Sequence, residues 1–255
     1  MPDQPWVRVG LAFIAAPIVA AALVSVPSMS VSVPSVYAAP ANIAGRIVFI
    51  DPGNDTATGQ HVSDGRGGTA DCQTAGTSTS DGYPEHSFTW EVALRIRSLL
   101  NQLGVRSALS RGNDDAAGPC VDQRATMANA LHPDAVISIH GDSGPPSGRG
   151  FHVDYSAPPL NQAQTGPALQ FARIMRDQLQ AAGVAPANYI GQDGLYGRAD
   201  LAELNLEQYP AILVDLGNMK NPADDALITT PDGRQKYAAA VVNGIAGFLA
   251  QTKVA

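Results

Sequence analysis

Three short apolar runs in this chain stop at a polar residue with glycine close behind. Arg46 to Ile50, almost continuously apolar, runs into Asp51-Pro52-Gly53, Ala135 to Ile139 into His140-Gly141-Asp142, and Ala211 to Val214 into Asp215-Leu216-Gly217-Asn218. Each reads as a buried strand stopped by a turn. In open α/β sheets the crevice outside the carboxyl ends of the strands takes the ligand, so Asp51, His140 and Asp215 are placed to converge. Glu85 joins them from the start of a helix, where the helix dipole favours a carboxylate; it could equally do no more than satisfy that helix end. Imidazole and carboxylate groups gathered at one end of a sheet are the donors a metal-dependent hydrolase needs.

The elements that must hold these groups follow from the pattern around them. Residues 54 to 83 are rich in Gly, Ser, Thr and Asp without periodicity, a loop long enough to be functional, hanging over the end of the first strand. Pro84 suits a first helical turn, and Phe88, Val92, Ile96, Leu99 and Leu103 then recur at spacings of three or four until Gly104, an amphipathic helix of about five turns. A strand from Val105 to Leu109, a helix from about Val121 to Leu131, a strand from Gly150 to Tyr155, a helix from Ala168 to Ala182 and a closing helix from Arg234 to Leu249 complete the alternation. This predicts a single α/β domain, a mostly parallel twisted sheet flanked by helices, with the site at the carboxyl ends of the strands. No repeat or linker divides residues 39–255.

The run Ile47-Val48-Phe49-Ile50-Asp51-Pro52-Gly53, then Glu85, Ser110-Arg111, Arg124, Ala128-Asn129, Ser138-Ile139-His140, and Leu213-Val214-Asp215-Leu216-Gly217-Asn218-Met219 resembles the zinc-dependent N-acetylmuramoyl-L-alanine amidases. The likeness covers nearly everything after the first 38 residues, and the chain looks most like the short actinobacterial members that consist of the catalytic domain and a cysteine pair. It implies Zn2+ held by a histidine just after the Asp-Pro-Gly turn, by the glutamate at the helix start and by the histidine ending the Ser-Ile-His strand. A glutamate ending the last buried strand is the implied general base. Glu85 and His140 match that pattern.

Two positions depart from it. Asn54 stands where the first histidine is expected and offers a neutral amide oxygen to a metal that prefers histidine, cysteine or carboxylate. His61, in the loop that follows, is a candidate replacement ligand, set against the plainer reading of an exposed loop residue. Asp215 stands where the base glutamate is expected, which keeps the carboxylate but draws it back by about 1.5 Å. His86, His132 and His152 read as surface residues, His152 because it alternates outward from Phe151. Asp51 reads as a supporting or turn residue.

Two functions fit these residues. One is an N-acetylmuramoyl-L-alanine amidase, cleaving the amide between N-acetylmuramic acid and L-alanine of peptidoglycan or a muropeptide, with Asp215 as base and Glu85, His140 and Asn54 around the metal. The other is a catalytically inactive relative that binds cell-wall fragments through the same groove. A serine hydrolase is disfavoured by the lack of a Gly-x-Ser-x-Gly elbow.

Composition narrows the setting. With 255 residues, 45% apolar and 15% charged, the chain can bury a sizeable core. A net charge of −7 without a basic cluster makes nucleic acid a poor partner. The first 38 residues carry an apolar run from Val9 to Val26 and a Ser, Val and Pro tract ending in Val36-Tyr37-Ala38-Ala39, which reads as a signal peptide cleaved near Ala38. Pro17 and Pro27 argue against a retained membrane span. The protein is thus expected outside the cytoplasmic membrane, in the periplasm or cell wall or secreted, as a monomer. Cys72 and Cys120, an even number in an exported chain, are expected to form a disulfide.

Overall fold

Apolar side chains along the central strands point alternately to the two faces of the sheet, and that alternation divides the core in two. A computed structural model describes residues 43–55 and 59–252; the expected signal segment lies outside the described residues. In chain order the elements are β1 (Ile47–Pro52), β2 (His61–Ser63), β3 (Thr69–Asp71), α1 (Glu85–Gln102), β4 (Arg106–Leu109), α2 (Val121–Leu131), β5 (Ala135–Asp142), β6 (His152–Ser156), α3 (Gln162–Thr165), α4 (Pro167–Ala181), β7 (Leu195–Arg198), α5 (Ala202–Asn205), β8 (Ala211–Asn218), α6 (Pro222–Ile228) and α7 (Pro231–Gln251). No described helix is long and apolar enough to cross a membrane.

Six strands form one sheet in the order β4-β1-β5-β8-β6-β7, and β2 pairs with β3 in a separate hairpin. Every pairing in the large sheet is parallel except β6 with β8. Val48, Ile50, Ile137, Ile139, Ile212 and Val214 point to one face, where they pack with Phe88, Val92 and Ile96 of α1, Phe171 and Met175 of α4, and Val241, Ile245 and Phe248 of α7. Phe49, Val136, Ala211 and Leu213 point to the other and meet Ala128 of α2 and Leu204 of α5 in a smaller cluster. Burying each large apolar side chain contributes about 1.5–3 kcal/mol, so the first face dominates stability.

The chain passes from β1 through α1 to β4 on one side, then through α2 back across β1 to β5. Strand order reverses between β1 and β5, and a crevice opens beyond their carboxyl ends. The long loop after β1 is tied over it by the Cys72–Cys120 disulfide, which closes 48 residues. On the chain-entropy account that link is worth about 4 kcal/mol. The loop is not wholly irregular, since the β2–β3 hairpin lies within it. Two strands of three residues are too short to leave a period in the sequence.

Candidate active site

The two-residue period of a strand sets which polar residues share a face. Asp51 continues the Phe49 face of β1, Ser138 and His140 the Val136 face of β5, and Asp215 the Leu213 face of β8. His140 is in register with Asp215, and Asp215 with His152 of β6, so the three form a row across adjacent strands. Asp51 is absorbed by the scaffold: it accepts from Ser110 Oγ at 2.5 Å, Ser138 Oγ at 2.9 Å and Arg124 Nη1 at 2.7 Å. Arg124 also binds Asp55 Oδ2 at 2.6 Å, so one buried guanidinium from α2 ties the end of β1 to the loop beyond it. The opposing charge and hydrogen bonds hold Asp51 below the usual carboxylate range, overcoming burial, which acts in the other direction.

Beyond Gly53 the chain turns at Asn54 with φ of +59°, a left-handed conformation that asparagine tolerates. The turn lays Asn54 against His140. A Cβ at Gly53 would lie 2.1 Å from His140 Nε2, and one at Gly76 2.4 Å from Glu85 Oε2, so both positions need glycine to let the backbone close on the site. Glu85, the first residue of α1, turns inward: Oε1 is 3.1 Å from His140 Nδ1 and accepts from the Gly141 amide, while Oε2 accepts from the Thr77 amide. Asn54 Nδ2 stands 3.4 Å from His140 Nδ1, and its Oδ1 accepts from Thr74 Oγ1 at 2.8 Å. Asn54, Thr74, Thr77, Glu85, His140 and Asp215 line a cleft of about 440 Å³. A larger cleft of about 730 Å³ beside Leu160, Asn161 and Asn205 has no ionisable lining residue.

The chain matches the N-acetylmuramoyl-L-alanine amidase family over residues 48–247. It belongs to that family. The amidase Rv3717 of Mycobacterium tuberculosis is 70% identical over 220 residues, an overlap of 85% of this chain and 91% of the relative. The crystal structure of the amidase Ami1 from Mycobacterium smegmatis is 63% identical, with a TM-score of 0.82 over 83% of this chain and all of that one. Ami1 from Mycobacterium abscessus, in its apo form, is 59% identical, with a TM-score of 0.80 over 81% of this chain and all of that one.

For an amidase-family chain the question is whether these side chains fit a divalent cation. Donor atoms around a tetrahedral zinc with bonds of 2.0–2.1 Å stand about 3.3 Å apart. The separations of 3.1 Å from Glu85 Oε1 and 3.4 Å from the Asn54 amide to His140 Nδ1 have that scale. Thr74 can donate or accept, so the amide can rotate to put Oδ1 in place of Nδ2 toward His140. Both separations to His140 therefore fit a tetrahedral ion, with an amide oxygen as the weakest donor. Burial would lower the pKa of His140, but the Glu85 bond and the charges of Glu85, Asp215 and Glu203 push it up to about 9.

His61 is not brought to this cleft; it is exposed on β2 and paired with Asp71 at 3.1 Å. His86 is partly buried against Asp114, and His132 is an exposed residue at the end of α2. His152 corrects the sequence reading. It does face away from Phe151, but that face is covered, and only 1% of His152 is exposed. Its Nδ1 is 2.7 Å from Asp154 Oδ1, and its Nε2 is 3.5 Å from both Asp142 Oδ2 and Asp215 Oδ2. Burial opposes charge on His152, yet Asp215, Asp142 and Asp154 push its pKa up to about 11. Burial raises the pKa of Asp215 against the pull of His152 and His140. The alternation His152-x-Asp154 was the available signal, since residues two apart on a strand share a face.

Proposed function

We propose that this chain hydrolyses the amide between the lactyl group of N-acetylmuramic acid and L-alanine in peptidoglycan or its fragments, outside the cytoplasmic membrane. The observation that carries the reading is the convergence of Asn54, Glu85 and His140 in a cleft that also presents Asp215, in a chain of the amidase family. In this reading Glu85, His140 and Asn54 hold a divalent cation, zinc by family. When bound, such an ion polarises the amide carbonyl and lowers the pKa of water to roughly 7.

The protein's own groups do the rest. Asp215, buried and raised in pKa, takes a proton from the attacking water and passes it to the departing L-alanine amine. His152, on the neighbouring strand, opposes its charge and steadies it. Glu85 is held by the amides of Thr77 and Gly141, so its orientation does not depend on the ligand. The reading is tested by incubating the zinc-supplied protein with an N-acetylmuramoyl peptide and following free peptide by mass spectrometry. Release of a peptide with an L-alanine amino terminus supports it; intact substrate at high enzyme loading opposes it.

The neutral donor at Asn54 and the short side chain at Asp215 motivate the second reading, an inactive relative that retains wall fragments. It predicts binding of the same muramoyl peptide without product.

A further inference from the structure

Beside the Glu85–His140 pair the cleft wall carries a second set of donors. Asp142 stands where β5 shifts register against β8, His152 lies on β6 and Asp215 on β8. The imidazole is fixed from behind: Asp154, fully buried, accepts from Nδ1 at 2.7 Å and is itself held by Arg198 at 3.3 Å. That leaves Nε2 aimed between the two carboxylates. It is buried and makes no hydrogen bond, with both Oδ2 atoms at 3.5 Å.

The gap can hold a proton or a cation. A proton on Nε2 is poorly served at 3.5 Å, since a charge-assisted bond closes to about 2.7–2.9 Å and reaches only one carboxylate; a cation that displaces it meets both. Donors around a tetrahedral cation stand about 3.3 Å apart, close to the two separations from Nε2. All three donor atoms lie within 4.8 Å of one another. Tyr189 donates to Asp142 Oδ2 at 2.6 Å and orients it, as Asp154 orients His152. Such outer hydrogen bonds are what metal-binding histidines and carboxylates carry. Asp142 and Asp215 both line the open cleft, which gives an ion a path in and a free coordination position.

We propose that Asp142, His152 and Asp215 form a divalent-cation site, suited to zinc or a similar transition metal, with donors distinct from Asn54, Glu85 and His140. An ion there engages the carboxylate of Asp215 and withdraws it as a base, so cation beyond the first equivalent inhibits. The binding claim is independent of the amidase reading; the inhibition claim rests on it.

The test is zinc stoichiometry by equilibrium dialysis and elemental mass spectrometry on chelator-stripped protein, with zinc the only metal supplied. Two ions per chain are expected, falling to one in His152→Gln and in the partly exposed Asp142→Asn, with a zinc Kd at this site weakened at least tenfold. Circular dichroism checks that each variant is folded, and Asp142→Asn decides the matter if His152→Gln is not. A single ion lost in Glu85→Gln but kept in Asp142→Asn overturns the proposal and leaves the amidase reading in place. A single ion kept in Glu85→Gln but lost in Asp142→Asn supports it while removing the cation from Glu85 and His140. Two ions undiminished by Asp142→Asn and His152→Gln, or none in the unchanged protein, overturn it. Turnover rising with the first equivalent and falling with the second, with the fall abolished in Asp142→Asn, is the matching kinetic outcome.

Discussion

Replacing Asn54 by histidine asks directly what the amide at this position costs. The backbone at Asn54 has φ of +59°, a region histidine enters more readily than most residues, so the turn should survive. The amide already reaches within 3.4 Å of His140 Nδ1, and glycine at position 76 keeps the space beside it free of a side chain. The substitution loses one hydrogen bond from Thr74, worth about 1 kcal/mol. Against that, it exchanges a neutral oxygen for an imidazole nitrogen. Losing even a supporting partner of a metal ligand costs roughly 10- to 100-fold in affinity, so gaining a direct nitrogen donor should return at least that much. This is about 1.4–2.7 kcal/mol before the Thr74 loss. The assay is competition for zinc against a chromophoric chelator at fixed pH, with circular dichroism to verify folding. A folded Asn54→His protein whose zinc Kd does not tighten would refute the placement of the cation at Asn54, Glu85 and His140.

Other substitutions address the base and the scaffold. Asp215→Asn should lower kcat by 10²- to 10⁴-fold in a peptide-release assay without loss of fold, and Asp215→Glu should raise it if the shorter reach limits proton transfer. Arg124→Leu removes the guanidinium from Asp51 and Asp55 and should cost about 3–5 kcal/mol in denaturant unfolding, since two buried carboxylates lose their countercharge. Glu207 is buried with Oε2 unpartnered, and burial, with the charge of Asp51 adding to it, pushes its pKa up to about 9. The folded state thus binds more protons than the unfolded state between about pH 4.5 and 9, so this group lowers stability as pH rises through that window. Glu207→Gln should therefore raise Tm at pH 8 relative to the parent and change it little at pH 4.

Much of the site was legible because strand ends announce themselves. Asp51, His140 and Asp215 each interrupt an apolar run, and Glu85 opens an amphipathic helix whose buried positions could be counted. The parallel sheet followed from alternation alone. His152 was misjudged for a specific reason: facing away from Phe151 was equated with facing solvent, whereas β6 lies inside the sheet and its second face is occupied by Asp142, Asp154 and Asp215. Sequence periodicity gives the parity of a side chain but not what covers that parity. The antiparallel pairing of β6 with β8, the pairing of Tyr189 with Asp142, and the four-residue elements β7, α3 and α5 were not readable, because contacts across 47 or more residues and elements of four residues leave no period.

The central claim is that a cation held by Glu85 and His140 drives cleavage of the muramoyl amide. It is tested most directly by stripping the protein with a chelator and restoring zinc one equivalent at a time while free L-alanyl peptide is counted. Release should be lost on stripping, return as the first equivalent is bound, and stay absent in Glu85→Gln at the same zinc concentration. Peptide release that continues unchanged in the stripped protein, or that zinc restores equally to Glu85→Gln, would contradict the account.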